Sequence, residues 1–174
     1  MSRIPLVQRP ADEAVEKVFA EIEDELGSIP NMFRAYAHHP ELLRLKWEKF
    51  KVLMMHGCLS VRLKESIALV VSADNRNEYG IARYSELLQE REVDPKEILQ
   101  IRLDPDHAHL SPKEHALLEL AHHANQTPYD HGEKYIDAAR REGASDMEIV
   151  EALGVMEFMT GANRFLEVLD VTLD

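Results

Sequence analysis

Several residues in this chain of 174 could do chemistry, and Glu65 is the first of them. It stands at the edge of SIALVVSA, residues 66–73, a run without charge that fits a helix buried on all sides. On a helix Glu65 shares its face with Val61, Ala68, Leu69 and Ser72. A carboxylate there would be partly desolvated and placed to donate or accept a proton. The same residue also fits a first-turn Glu that is favoured by the helix dipole and reaches solvent. Just downstream comes EYGIARY, residues 78–84. Outward-pointing amides at a helix start stabilise anions, and Tyr79, Arg83 and Tyr84 add donors. Ordinary helix-surface packing accounts for those side chains as well.

Cys58 lies in HGCLS, with His56 two residues away. A thiol beside an imidazole is a nucleophile only if the two converge; otherwise a free Cys behaves as a small hydrophobe. Glu157 sits within ALGVMEFMTGA and is expected to be a buried acid, paired with Arg164 or Asn163 or facing another subunit, because buried charges are normally paired. His115, Glu119 and His122 fall at i, i+4 and i+7, and Glu119-x-x-His122 matches half of a di-iron motif. The other half is missing, and an exposed polar helix face has the same pattern. His107-x-His109 and His38-His39 lie in or near loops. No metal and no cofactor are expected.

The elements that must position these residues are helices. Val15, Val18, Phe19, Ile22 and Leu26 recur at helical spacing from Ala11 to Leu26, and Gly27 stops the run. Pro30 opens a short segment, and Pro40 opens a helix that ends near Gly57. Ser60 is a natural N-cap for the Glu65 helix, and Asn75 or Asn77 for the next. Asp94-Pro95 and Ser111-Pro112-Lys113-Glu114 are further starts. A helix from about Asp130 to Arg141 stops at Gly143, and Ser145 caps a last one toward Leu169. An echo at offsets of 49 to 52 pairs Leu59-Ser60, Lys64-Glu65, Gly80 and Glu90 with Leu110-Ser111, Lys113-Glu114, Gly132 and Glu142, which reads at most as a diverged helical repeat. No alternating strand is present. The prediction is one all-α domain, residues 1–174, with about eight or nine helices.

Composition narrows the partners. Twenty Lys and Arg against 32 Asp and Glu give a net charge of −12, which disfavours nucleic acid and anionic membranes. No uncharged apolar run approaches the roughly 20 residues that a membrane helix needs. The N-terminal MSRIPLVQRPADEA has no apolar signal core, so the cytoplasm is the expected compartment. One Cys excludes an intramolecular disulfide and a two-thiol redox pair.

The run LKESIALVVSADNRNEYGIARYSELL resembles the signature region of the alkylhydroperoxidase and carboxymuconolactone decarboxylase superfamily, in its peroxidase-related branch. That signature region spans about residues 59–90. LGSIPNMFRAYAHHPELLRLKWEKFKVLM, SPKEHALLELA and the closing NRF resemble the same branch. The resemblance implies an all-helical bundle assembled as a homo-oligomer (dimer, trimer or hexamer). Redox-active members carry a Glu, eleven residues, then Cys-x-x-Cys-x-x-x-His, and reduce hydroperoxides through the two thiols. By the resemblance Glu65 matches the family Glu, Asn77 and Gly80 fall at the two Cys, and Tyr84 falls at the His. Tyr79 fits an aromatic often found between the Cys.

Asn and Gly supply no thiolate, and Tyr is a poor base near neutral pH, so no dithiol cycle runs at these positions. Three functions are then open. One is a proton-transfer or decarboxylase-like enzyme acting on a small organic substrate, with Glu65 and Tyr84 catalytic and Asn77, Tyr79, Gly80 and Arg83 binding. Another is an inactive oligomer that binds a small molecule or a protein. The third is one-Cys peroxide chemistry at Cys58.

Overall fold

The computed structural model describes residues 2–130 and 132–174. Among the described residues the regular structure is all helical: nine α-helices, one π-helical turn and one 3₁₀ turn. Most starts follow from short polar caps. Asp12 accepts hydrogen bonds from the amides of Ala14 and Val15, so α1 runs Glu13–Leu26, two residues later than the apolar spacing suggested. Gly27 then ends it in a left-handed turn at φ 76°. After α2, Asn31–Tyr36, Pro40 opens α3, Pro40–Phe50.

That third helix does not continue as α to Gly57. It widens into a π-turn, Lys51–Met55, closed by the His56 amide donating to Lys51 at 2.9 Å. Ser60 caps α4, Val61–Asp74, and Asn77 caps α5, Glu78–Glu90. Asp94 starts α6, Pro95–Leu103, which leads through the 3₁₀ turn Pro105–His107 to α7, Pro112–Gln126. Helix α8 spans Gly132–Arg141, and a capping box at Ser145 and Glu148 starts α9, Asp146–Leu169. The expected start of α8 near Asp130 gives way to a turn there. The two halves of the sequence echo fall on α4–α6 and on α7–α9.

Helix α4 is the centre. Residues 63–72 are buried on every face, as its charge-free run requires, and α5, α6, α7 and α9 pack around it. Helices α1 to α3 form a second group: Phe33, Trp47 and Phe50 join α2 to α3 in edge and stacked contacts at 5.5 to 5.7 Å, and Glu21 of α1 accepts from Trp47 and Arg44 of α3. No helix among the described residues is long and apolar enough to cross a membrane.

Candidate functional site

A cavity of about 310 Å³ opens between α4, α5, α9 and the α2–α3 group. Its walls are mostly apolar and rich in methionine: Met32, Met54, Met55 and Met159 line it beside Phe33 and Phe50. The π-turn after α3 contributes Met54 and Met55. Thioether side chains adapt their shape, so such a wall accommodates flat or irregular apolar ligands.

Against this background the polar groups are few. Glu65, on the second turn of α4, is 4% exposed. The Arg91 Nε donates to its Oε2 at 2.6 Å, supplying the countercharge that a carboxylate in this place needs. Arg91 stands just past α5, where Glu92 turns left-handed at φ 62° and lets the chain leave the helix. Arg83, Tyr84, Tyr79 and Asn163 complete the polar lining.

The two tyrosines differ. Tyr79 is spent on structure: its hydroxyl donates to Asp174 at 2.9 Å and accepts from the Met32 amide at 3.3 Å. Tyr84 makes no side-chain hydrogen bond among the described residues. Burial pushes its hydroxyl well above the ordinary phenol range, and the Glu65 charge adds to that against Arg83. It therefore stays neutral, with a hydroxyl free to donate a hydrogen bond. Asn163 is 1% exposed; its Oδ1 accepts from the Ser72 hydroxyl at 3.3 Å, and its Nδ2 has no partner.

Asn77 and Gly80 both make close packing contacts. Asn77 is buried and does not line the cavity. Its Oδ1 accepts from the Gly80 amide at 2.9 Å, and its Nδ2 donates to the Asn163 carbonyl and to Glu167. Gly80 lines the cavity, but a Cβ there would meet the Ser72 Oγ at 2.3 Å and the Asn163 Oδ1 at 3.0 Å. The missing side chain therefore lets α5 approach α4 and α9.

Cys58 is not part of the cavity lining and engages Glu151, not His56. Its thiol donates to the Glu151 Oε2 at 2.9 Å, its amide donates to the same oxygen at 2.7 Å, and the Leu59 amide donates to Oε1 at 3.2 Å. Lys64 Nζ pairs with Oε1 at 2.8 Å and also donates to the His56 carbonyl. Desolvation alone would push the Glu151 carboxyl up. These donors more than offset it and hold the carboxyl at about 2. Partial desolvation and the Glu151 charge push the Cys58 thiol up, so it is held protonated.

The buried acid of α9 is thus Glu151, not Glu157. Glu157 is exposed and pairs with Lys49 at 2.6 Å, because it lies off the stripe formed by Glu151, Val155, Phe158 and Ala162. His115 and Glu119 approach each other at 3.7 Å, while His122 turns to Asp74 at 3.0 Å, so the residues of the i, i+4, i+7 pattern do not converge. Sequence reading missed Arg91, Asn163 as a cavity residue, and Glu151. For Glu151 the signal was available: it is in phase with Val155 and Phe158 at i+4 and i+7.

Comparison with known proteins agrees with this geometry at the level of the fold. A peroxidase-related protein from Silicibacter sp. TM1040 superposes with a TM-score of 0.88 at 23% identity, over 99% of this chain and 92% of that one. A peroxidase-related protein from Ralstonia eutropha JMP134, described as an alkylhydroperoxidase AhpD core, gives 0.82 at 22% identity over 98% and 94%. A variant of the debrominase Bmp8, solved in complex with 2,3,4-tribromopyrrole, gives 0.81 at 20% identity over 97% and 90%. No family model matches the sequence, and no curated protein does. The chain has the all-helical fold of the alkylhydroperoxidase-like, peroxidase-related proteins.

Proposed function

We propose that the protein is an enzyme of proton transfer that acts on a small organic acid without a dithiol. The observation that carries this reading is Glu65, nearly buried in an apolar cavity with Arg91 on one carboxylate oxygen and the Tyr84 hydroxyl in the same lining. Arg83 provides the charge for a substrate carboxylate, which the net charge of −12 would otherwise repel. Glu65 removes a proton from a carbon next to a carbonyl. The C–H electron pair passes onto the carbonyl oxygen, which accepts a hydrogen bond from Tyr84. Return of the proton from Glu65 to the same or the conjugated carbon closes the cycle without a co-reactant. Arg91 positions the carboxylate.

The cavity suits a flat apolar body with one charged end. One structural neighbour, the debrominase, is known with a small halogenated heteroaromatic, which supports a ligand of that size here. A second reading, binding without turnover, is supported by the commitment of Asn77 and Gly80 to packing and by the ion pair already made by Glu65. Turnover measured against a panel of keto acids, lactones and hydroperoxides separates the two. We expect conversion of the keto acids, no thiol-dependent peroxide reduction, and loss of conversion in Glu65→Gln. Equal activity in Glu65→Gln removes Glu65 from the mechanism, and binding of the acids without conversion leaves the second reading.

A further inference from the structure

On the side of α4 defined by Asp74, away from the cavity lining, polar side chains converge around the α7 residues His122 and His123. One ligand atom each from Asp106, His122 and His123 lies within 4.8 Å of the others. Three separate contacts hold these residues in place. His122 Nδ1 meets the Asp74 Oδ2 at 3.0 Å, which leaves Nε2 as its available nitrogen. Asp74 is itself fixed by Asn125 at 3.2 Å and by Gln126 at 3.0 Å. The His123 ring stacks on Tyr135 at 4.1 Å and 11°. Asp106 sits on the 3₁₀ turn, whose backbone is tied to α7 by His115 against the Asp106 carbonyl at 2.9 Å.

We propose that Asp106, His122 and His123 form a Zn²⁺ site that clamps the 3₁₀ turn onto α7. Two imidazoles and a carboxylate are a ligand set that zinc takes, with water in the remaining tetrahedral position. The Asp74–His122 contact is the carboxylate–histidine arrangement that orients a metal-bound imidazole. Zinc bonds of about 2.0–2.2 Å place neighbouring ligand atoms roughly 3.4 Å apart in a tetrahedral site. His123 Nε2 and Asp106 Oδ1 are now 4.0 Å apart. The exposed Asp106 side chain closes that gap by a small rotation.

Calorimetric titration of Zn²⁺ into the chelator-treated full chain tests the site, independently of any activity. The expected result is one saturable equivalent. Asp74→Asn should weaken it about 10- to 100-fold, and Asp106→Asn and His123→Ala at least as much. His109→Ala, outside the cluster, should titrate as the wild type does. Co²⁺ in place of Zn²⁺ should give a tetrahedral visible spectrum that Asp106→Asn abolishes. Because the Asp106 side chain is exposed and its carboxylate makes no hydrogen bond among the described residues, that variant should keep the fold. Absence of saturable binding overturns the proposal. So does weak binding of several equivalents that Asp106→Asn and His123→Ala leave unchanged, which assigns uptake to scattered surface histidines.

Discussion

Replacing Glu151 by Gln should be among the most damaging single changes in the molecule, although Glu151 does not line the Glu65 cavity. Lys64 is 1% exposed and Glu151 8%. The substitution leaves a buried ammonium without its countercharge, facing only neutral acceptors such as the His56 carbonyl, and it turns an NH₂ group toward donors. Removing one partner of a buried pair costs about 3–5 kcal/mol, a large share of a total near 5–15 kcal/mol. For a urea slope near 2 kcal/mol/M the unfolding midpoint should fall by roughly 2 M. A double variant, Lys64→Met with Glu151→Leu, should recover part of this by removing both charges. It should still fall short of the wild type by about 1–3 kcal/mol, because the Cys58 and Leu59 amides lose their acceptor.

The same carboxylate sets an acid limb. Its folded value near 2 lies below the ordinary 4.5, so its contribution is complete above about 4.5 and is lost as pH falls toward 2. That limb is worth on the order of 3 kcal/mol and should flatten in Glu151→Gln. Urea unfolding followed by circular dichroism between pH 2 and 7 measures both quantities. A midpoint shift corresponding to less than 1 kcal/mol, or an unchanged acid limb, would refute the reasoning.

Further outcomes follow from the same contacts. Gly80→Ala should cost about 1–3 kcal/mol in denaturant unfolding, since its Cβ would lie 2.3 Å from the Ser72 Oγ. Asn77→Ala should cost about 0.5–2 kcal/mol by uncapping α5, and its effect should appear in stability more than in ligand affinity. Cys58 should alkylate more slowly than a free thiol at pH 8, and Glu151→Gln should speed it; fast labelling of the wild type would contradict a protonated, Glu151-bound thiol.

What the sequence made legible was local. Ser60, Asn77, Asp94, Ser111 and Ser145 each cap the helix that follows, because a cap is decided within four residues. The charge-free run of α4 was correctly read as buried on all sides. The polar pairings of the cavity were not legible. Arg91 meets Glu65 across 26 residues, and Glu151 serves a loop more than 90 residues away. Nothing in either neighbourhood announces such contacts. Glu157 shows the other limit: a charge-free window reports average hydropathy, whereas burial depends on the phase of one residue around the helix. At Gly80 a sequence shows a missing side chain but not which neighbour fills the gap.

The central claim is that Glu65 moves a proton in the cavity beside Tyr84. Incubation of the protein with small keto acids in D₂O, followed by proton NMR of the hydrogens next to the carbonyl, tests it most directly. We expect catalysed exchange by the wild type and a loss of about 100-fold or more in Glu65→Gln, a variant that should still bind the acid. Exchange at the wild-type rate in Glu65→Gln, or none above the uncatalysed rate with any acid that binds, would contradict it.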